Sequence, residues 1–386
     1  MQRSSERILT THVGSLPRPD DLLDMLRARE SGGLDQTVFE RCVRAAVKDC
    51  LEKQVEAGID IVNDGEQGKP SFITYIRESL SGLEARGPRG SPWKGSREEA
   101  SFPEFYAEMA KAGGGPGQAA QIVCTGPLKY VGQARLKAEL DRFRAALAGE
   151  RYSEAFVPSI SPTNIEEWFE NGYYKSGEEY LAAIAEALHE EYKAIVDAGF
   201  LVQIDDPRLA TYYALNPGVS IAEARSWASL RVEALNHALR GIPEERVRFH
   251  TCYSINMGPR IHDMELKELV DIMLRVRAGA YSFEAANPRH EHEWKVWKDV
   301  KLPDGKSLIP GVISHTTVLV EHPELVAERL VRYASVVGRE NVIAGADCGF
   351  ASFASSREMH PSIVWAKLGA LSEGARLATK ELWRKA

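Results

Sequence analysis

A chain of 386 residues exceeds the ~250 that a plain (β/α)8 barrel needs, so a decorated barrel or two modest domains both fit. Hydrophobic residues make up 44% of it, and no run approaches the ~18 apolar residues of a membrane span, so no membrane role is expected. The formal charge of -7 is spread over mixed acidic and basic residues, leaving no basic stripe for nucleic acid and pointing to a small-molecule partner. The amino-terminal MQRSSERILTTHVGS lacks the apolar stretch of a signal peptide, so a cytoplasmic location is expected; a homo-oligomer stays open. Cys42, Cys50, Cys124, Cys252 and Cys348 are odd in number and irregularly spaced. That disfavours a disulfide scaffold and frees thiols for metal or nucleophile roles.

In chain order, short β-branched runs ending in polar residues alternate with amphipathic helical stretches, the pattern of βαβ units around a parallel sheet. The expected strands are Ile8 to Val13, Ile59 to Asn63, Ala155 to Ile160, Leu201 to Ile204, Val247 to Cys252, Ala280 to Phe283, Ile309 to Ile313 and Val342 to Gly345. Helical stretches such as Glu178 to Ala198, opened by Ser176 and Gly177 and closed by Gly199, fill the intervals. Eight strands fit a closed barrel better than an open sheet, so the expectation is a single (β/α)8 TIM-type barrel over residues 1–386. The interval between the second and third strands is too long for one helix. It carries RGPRGSPWKGS, KAGGGPGQ and a strand-like run from Gln121 to Tyr130, and reads as an insertion at about 67–150. Within it, Gly87 to Ser101 is expected to be flexible, because clustered Gly, Pro and Ser with little apolar content pack poorly. No internal repeat is found.

The chemistry-bearing residues cluster at strand ends: His12 with Gly14 and Ser15, Asp64 with Glu66, Asp205 with Asp206, His250 with Cys252, Glu284, His315, and Asp347 with Cys348. In a barrel these carboxyl ends converge on the active face. On an extended strand His250 and Cys252 point the same way and can share one ligand. His-x-Cys alone is more often a buried cysteine beside a satisfied histidine. Joined by Glu284 and Cys348, however, it becomes a nitrogen, sulfur and oxygen set that favours zinc over magnesium or calcium.

At these residues the chain resembles the catalytic half of cobalamin-independent methionine synthase and its short single-barrel relatives, which include the epoxyalkane coenzyme M transferases. The resemblance runs from TTHVGSLPRP at Thr10 through GIDIVNDGE, LVQIDDP and FHTC to GADCG at Gly345. It implies zinc (Zn2+) as cofactor, with His250, Cys252, Glu284 and Cys348 as ligands. It also implies that Ser15 and Glu66 hold an amino-acid thiol, that Asp205 receives its ammonium, and that Trp168 stacks a pterin ring. Capping roles for Ser15 and Asp205, and a core role for Trp168, are the plainer alternatives. Two positions depart from the family pattern. Thr211 stands where the family has a folate-contacting Glu, and His315 lies about one residue from the proposed proton-handling histidine.

The expected activity is therefore that of a zinc-dependent methyltransferase that alkylates a thiol, most simply homocysteine to methionine, with the donor open. One alternative is an epoxide-opening coenzyme M transferase, whose sulfonate would call for Arg18, Lys69 or Arg289 near the metal. Another is a non-catalytic zinc- or thiol-binding protein with a closed metal site. A metal-free barrel of the uroporphyrinogen decarboxylase type is disfavoured by the two matched cysteines.

Overall fold

The computed structural model describes residues 1–30, 35–111, 120–253, 258–354 and 359–384. The strands among the described residues are, in chain order, β1 (Leu9–Thr10), β2 (Ile61–Val62), β3 (Leu83–Pro88), β4 (Ala120–Cys124), β5 (Glu154–Ile160), β6 (Phe169–Asn171), β7 (Leu201–Asp205), β8 (Val247–Thr251), β9 (Ala280–Phe283), β10 (Ser307–Ile313) and β11 (Ile343–Ala346). Eight of them form one parallel sheet in the order β1, β11, β10, β9, β8, β7, β5, β2. A parallel bridge between Thr11 and Ile61 joins the two outer strands and closes the barrel. This is the TIM-type architecture that the eight apolar runs imply.

The strands are apolar on both faces because each is covered on both. Inside, Leu9, Ile61, Phe156, Leu201, Ala280, Ile309 and Ile343 form one packed layer. Above it Arg248 is fully buried, with its guanidinium 3.8 Å from the Phe156 ring centroid and donating to the Thr11 hydroxyl and the His12 carbonyl. Outside, helices cover the barrel. Gly177–Asp197 begins where the Ser176 hydroxyl accepts the Glu179 amide, and it buries Tyr180, Leu181, Ile184, Leu188, Tyr192 and Ile195 at helical spacing. Ile221–Ala238 opens with a reciprocal capping box between Ser220 and Glu223. Among the described residues, no helix is long and apolar enough to cross a membrane.

The insertion lies between β2 and β5, as expected. Its β3 and β4 pair antiparallel, and β4 pairs parallel with β6, a strand supplied by the chain after β5. The segment Gly87 to Ser101 corrects the expectation of a stretch unable to pack. Trp93 is buried, Ser96 caps the helix Arg97–Ser101, and Arg97 donates to the carbonyls of Tyr213 and Val219. Buried Glu98 accepts the amides of Ile261 and His262. These partners are more than a hundred residues away, so local composition carried no trace of them. Residues 112–119, which hold most of the second Gly- and Pro-rich stretch, lie outside the described residues.

Candidate metal centre and thiol cavity

β8 ends in His250 and Thr251, with Cys252 next, and Cys348 follows β11 two residues after its last member. The period of two along β8 turns His250 and Cys252 to the same side. Barrel closure then brings Cys348 to them, with the two sulfurs 3.4 Å apart. One ligand atom from each of His250, Cys252 and Cys348 lies within 4.8 Å of the others, and all three residues are buried. Burial, reinforced by the Arg248 charge, holds the His250 pKa down to about 3, so the ring is neutral. Its Nδ1 lies 3.1 Å from the Ser282 hydroxyl, while Nε2 is buried without a hydrogen-bond partner among the described residues. A neutral imidazole oriented through one nitrogen with the other lone pair bare is the state a metal ligand requires. The partnership with Cys252, followed by burial, pushes the Cys348 thiol well above its usual range. Two thiols this close in an apolar setting gain most from a dication. The donor set fits zinc.

Glu284 follows β9 and its charge acts on the Cys348 thiol, but it is not among the residues whose ligand atoms gather within 4.8 Å. Its carboxylate accepts the Tyr253 amide at 2.8 Å and Asn287 Nδ2 at 2.6 Å, and pairs with Arg260 Nη1 at 3.0 Å. Asp347 fixes the loop that carries it, because Oδ1 accepts the amides of Ala285 and Ala286 at 2.7 and 2.8 Å. His290 braces the other side by stacking on Tyr253, ring centroids 3.8 Å apart, between Glu293 and Asp263. Neither Arg260 nor this bracing was visible in the sequence, where the loop after Tyr253 carries no periodic signal.

A small cavity opens beside the trio, lined by Ser15, Glu66, Phe72, Asp205, Pro207, His250, Cys252, Cys348 and their neighbours. Two glycines let it assemble. Gly14, at φ +149, leaves room for the Glu66 carboxylate, since a Cβ there would lie 2.8 Å from Glu66 Oε1. A Cβ on Gly349 would lie 2.1 Å from the Ser15 hydroxyl. Glu66 itself is held at φ 53, an uncommon conformation for a side-chain-bearing residue, with Lys69 Nζ 3.8 Å from its carboxylate. Asp205 Oδ1 accepts Gln203 Nε2 at 2.8 Å. Burial raises both the Glu66 and Asp205 carboxyls, Asp205 far above its ordinary range, and Lys69 works against that in each.

The remaining candidates fall elsewhere. His12 turns away to Gln54 at 2.8 Å, neutral because burial lowers its pKa to about 4. Asp206 accepts the Leu209 amide in the first turn of the helix after β7, whose N-cap position is Pro207. His315 is buried on the same rim after β10, and Trp168 ends the helix Pro162–Trp168 after β5; neither is among the residues lining the cavity. Arg18 donates to the carbonyls of Glu66, Lys69 and Ala351, Lys69 donates to the Pro158 carbonyl, and Arg289 pairs with Asp263.

The catalytic-domain model of the cobalamin-independent synthases matches residues 8–102 and 168–363. The methionine synthase of Thermococcus kodakarensis is 28% identical over 379 residues, covering 97% of this chain and 95% of that protein. That of Pyrococcus furiosus is 25% identical, covering 97% and 93%. In fold, the B12-independent methionine synthase of a Shewanella species, solved with selenomethionine, superposes with a TM-score of 0.73 at 22% identity, over 97% of this chain and 99% of that one. With both matched segments spanning the strand ends that build the cavity, the chain belongs to the family of cobalamin-independent synthase catalytic domains.

Proposed function

We propose that this protein is a methyltransferase that places a methyl group on the sulfur of homocysteine. The observation that carries the reading is the shared cavity: Glu66 and Asp205 line the same space as His250, Cys252 and Cys348. Carboxylates there suit an ammonium, and the sulfur ligands suit a metal to which a thiol can be presented. A zinc held by His250, Cys252 and Cys348, with Glu284 as fourth ligand, would supply the Lewis acidity that lets a substrate thiol lose its proton at neutral pH. Asp205 and Glu66 receive the ammonium and Ser15 offers a hydroxyl. The burial of all three keeps bulk water from competing for these contacts. His315, on the rim, is assigned the handling of the proton.

Access favours this over a closed structural metal site, because the cavity reaches Cys252 and Cys348. Charge favours it over a sulfonate-bearing thiol, because Arg18 and Lys69 are already engaged with backbone carbonyls. The purified protein is expected to carry about one zinc per chain. Cys252→Ser and Cys348→Ser should each lose most of it and stay folded, since the apolar barrel layers do not involve the metal. Elemental analysis with circular dichroism measures both, and full zinc in both variants would overturn the proposal. Proton release on adding homocysteine to the zinc-loaded chain tests the acceptor directly; the absence of any release removes homocysteine from the reading.

A further inference from the structure

Among the described residues, five arginines are nearly or fully buried: Arg18, Arg208, Arg248, Arg260 and Arg329. Four are tied down by carbonyls, a hydroxyl or a carboxylate: Arg18 by three carbonyls, Arg248 by Thr11 and His12, Arg260 by Glu284, and Arg329 by Glu291 and two carbonyls. Arg208, only 7% exposed, makes no hydrogen bond and no ion pair among the described residues. It opens the helix Arg208–Leu215, one residue beyond Pro207 of the thiol cavity, and its guanidinium carbon lies 5.9 Å from the Trp168 ring centroid. A second cation shares that ring. Arg89, from the insertion, stacks on it at 3.9 Å and donates to the carbonyls of Trp168 and Glu167.

Neither guanidinium has a carboxylate within 4 Å among the described residues. Burial and then the neighbouring Arg208 charge pull the Arg89 pKa down to about 10 against the more distant Glu167, and burial lowers that of Arg208 against Glu167 and Asp206, neither of which is close enough to pair. Taking a guanidinium out of water without a paired anion is costly, and placing two together compounds it. Such arrangements persist where an anion completes them, because charge-assisted bonds to a planar guanidinium are among the strong ones.

We propose that Arg208 and Arg89, gathered at Trp168, form a binding site for an oxyanion, the carboxylate or phosphate of the methyl donor. The site sits beside the thiol cavity, and it comes from elements that meet only in the folded chain: the helix after β5, the helix after β7 and the insertion. Arg89 stacks on the ring of Trp168, so a donor is read here by charge more than by ring stacking. Thr211 takes no part, its hydroxyl being turned back to the Pro207 carbonyl at 3.0 Å. Assigning the anion to the donor rests on the methyl-transfer reading; the anion site itself does not.

The test is titration calorimetry of the zinc-loaded full chain with inorganic phosphate in one arm and 4-aminobenzoylglutamate, an aromatic dicarboxylate, in the other. Binding in the phosphate arm alone identifies a phosphate-bearing donor, and binding in the other arm alone a carboxylate-bearing one. Arg208→Met and Arg89→Met should each weaken the bound probe about tenfold or more, and Arg208→Lys should retain part of the affinity. Zinc content and the homocysteine response should match the wild type in all three. Because an unpartnered buried cation does not help the fold, the melting temperature of Arg208→Met should equal or exceed that of the wild type. Failure of both probes to bind, wild-type affinity in Arg208→Met, or a lowered melting temperature in that variant would each overturn the proposal. A wild-type chain that binds the probe but not homocysteine would instead sink the methyl-transfer reading.

Discussion

Asp205→Asn separates ammonium recognition from everything else in the cavity. Gln203 fixes the outcome at the replaced side chain: its Nε2 donates to Asp205 Oδ1 at 2.8 Å and also to the Val13 carbonyl. An asparagine therefore keeps its amide oxygen toward Gln203 and turns its NH2 into the cavity, presenting a donor to the ammonium where an acceptor stood. Losing a charge-assisted hydrogen bond costs about 1.5 to 3 kcal/mol, roughly 10- to 150-fold in affinity, and the misplaced donor pushes the effect toward the upper end. Calorimetry on zinc-loaded protein with homocysteine and with 4-mercaptobutyrate, the same thiol without its ammonium, reads the difference. Homocysteine should weaken by that factor and 4-mercaptobutyrate hardly at all. Stability should move the other way. Burial raises the folded-state pKa of Asp205 far above its ordinary value, so ionising it as pH rises above that ordinary value disfavours the fold. The uncharged amide removes that penalty, and the ligand-free variant should be at least as stable as the wild type at pH 7. Equal weakening of the two thiols would refute the role given to Asp205.

Arg260→Met should cost the metal-free protein about 3 to 5 kcal/mol in urea denaturation, because it strands a buried carboxylate, and clearly less once zinc gives Glu284 another partner; an identical loss in both states would disprove the ligand role of Glu284. Burial opposes charge on His290, yet its hydrogen bonds to Asp263 and Glu293 prevail and raise its pKa from 6.5 to about 9. Its contribution to stability should thus be complete below pH 6.5 and fade as pH rises through about 9. Urea midpoints measured across that window in wild type and His290→Gln should converge at high pH, and parallel curves would contradict the assignment. Methyltetrahydrofolate should be a poor donor, since Thr211 offers no carboxylate to it; steady-state turnover on the order of 1 per second or faster with homocysteine would show the departure to be harmless.

Much of the barrel was legible because parallel strands covered on both faces must be apolar throughout, and all eight runs lie in the closed sheet. The runs at Ile8 and Ile59 overestimate regular pairing, which shrinks to Leu9–Thr10 and Ile61–Val62. The trio of His250, Cys252 and Cys348 was readable from strand-end position and side-chain alternation, rules that need no knowledge of distant contacts. What escaped were contacts between remote segments: Arg260 on Glu284, Arg89 on Trp168, and Trp93 inside an apparently structureless stretch. The conformation of Glu66 escaped too, for a positive φ on a glutamate is imposed by surroundings and leaves no mark on residue type.

The parallel pairing of β4 with β6, Ile122 beside Phe169, carries a consequence for how the molecule is made. A hairpin of β3 and β4 can close as soon as its own residues exist, but its third strand is reached only after β5 and the helix Pro162–Trp168 have been added. The insertion is laced into the barrel and cannot be excised as a cassette: cutting it at its two ends would leave β6 as a bare edge and strip Trp168 of Arg89. During synthesis the hairpin must wait, with one edge unpaired, until residue 171 has emerged and the neighbouring βα unit is in place. A circular permutant opened between β4 and β5 would place β6 ahead of the hairpin and separate the two by nearly the whole chain; it should refold more slowly, with the edge of β6 exposed meanwhile, and aggregate more than one opened on the opposite side of the barrel.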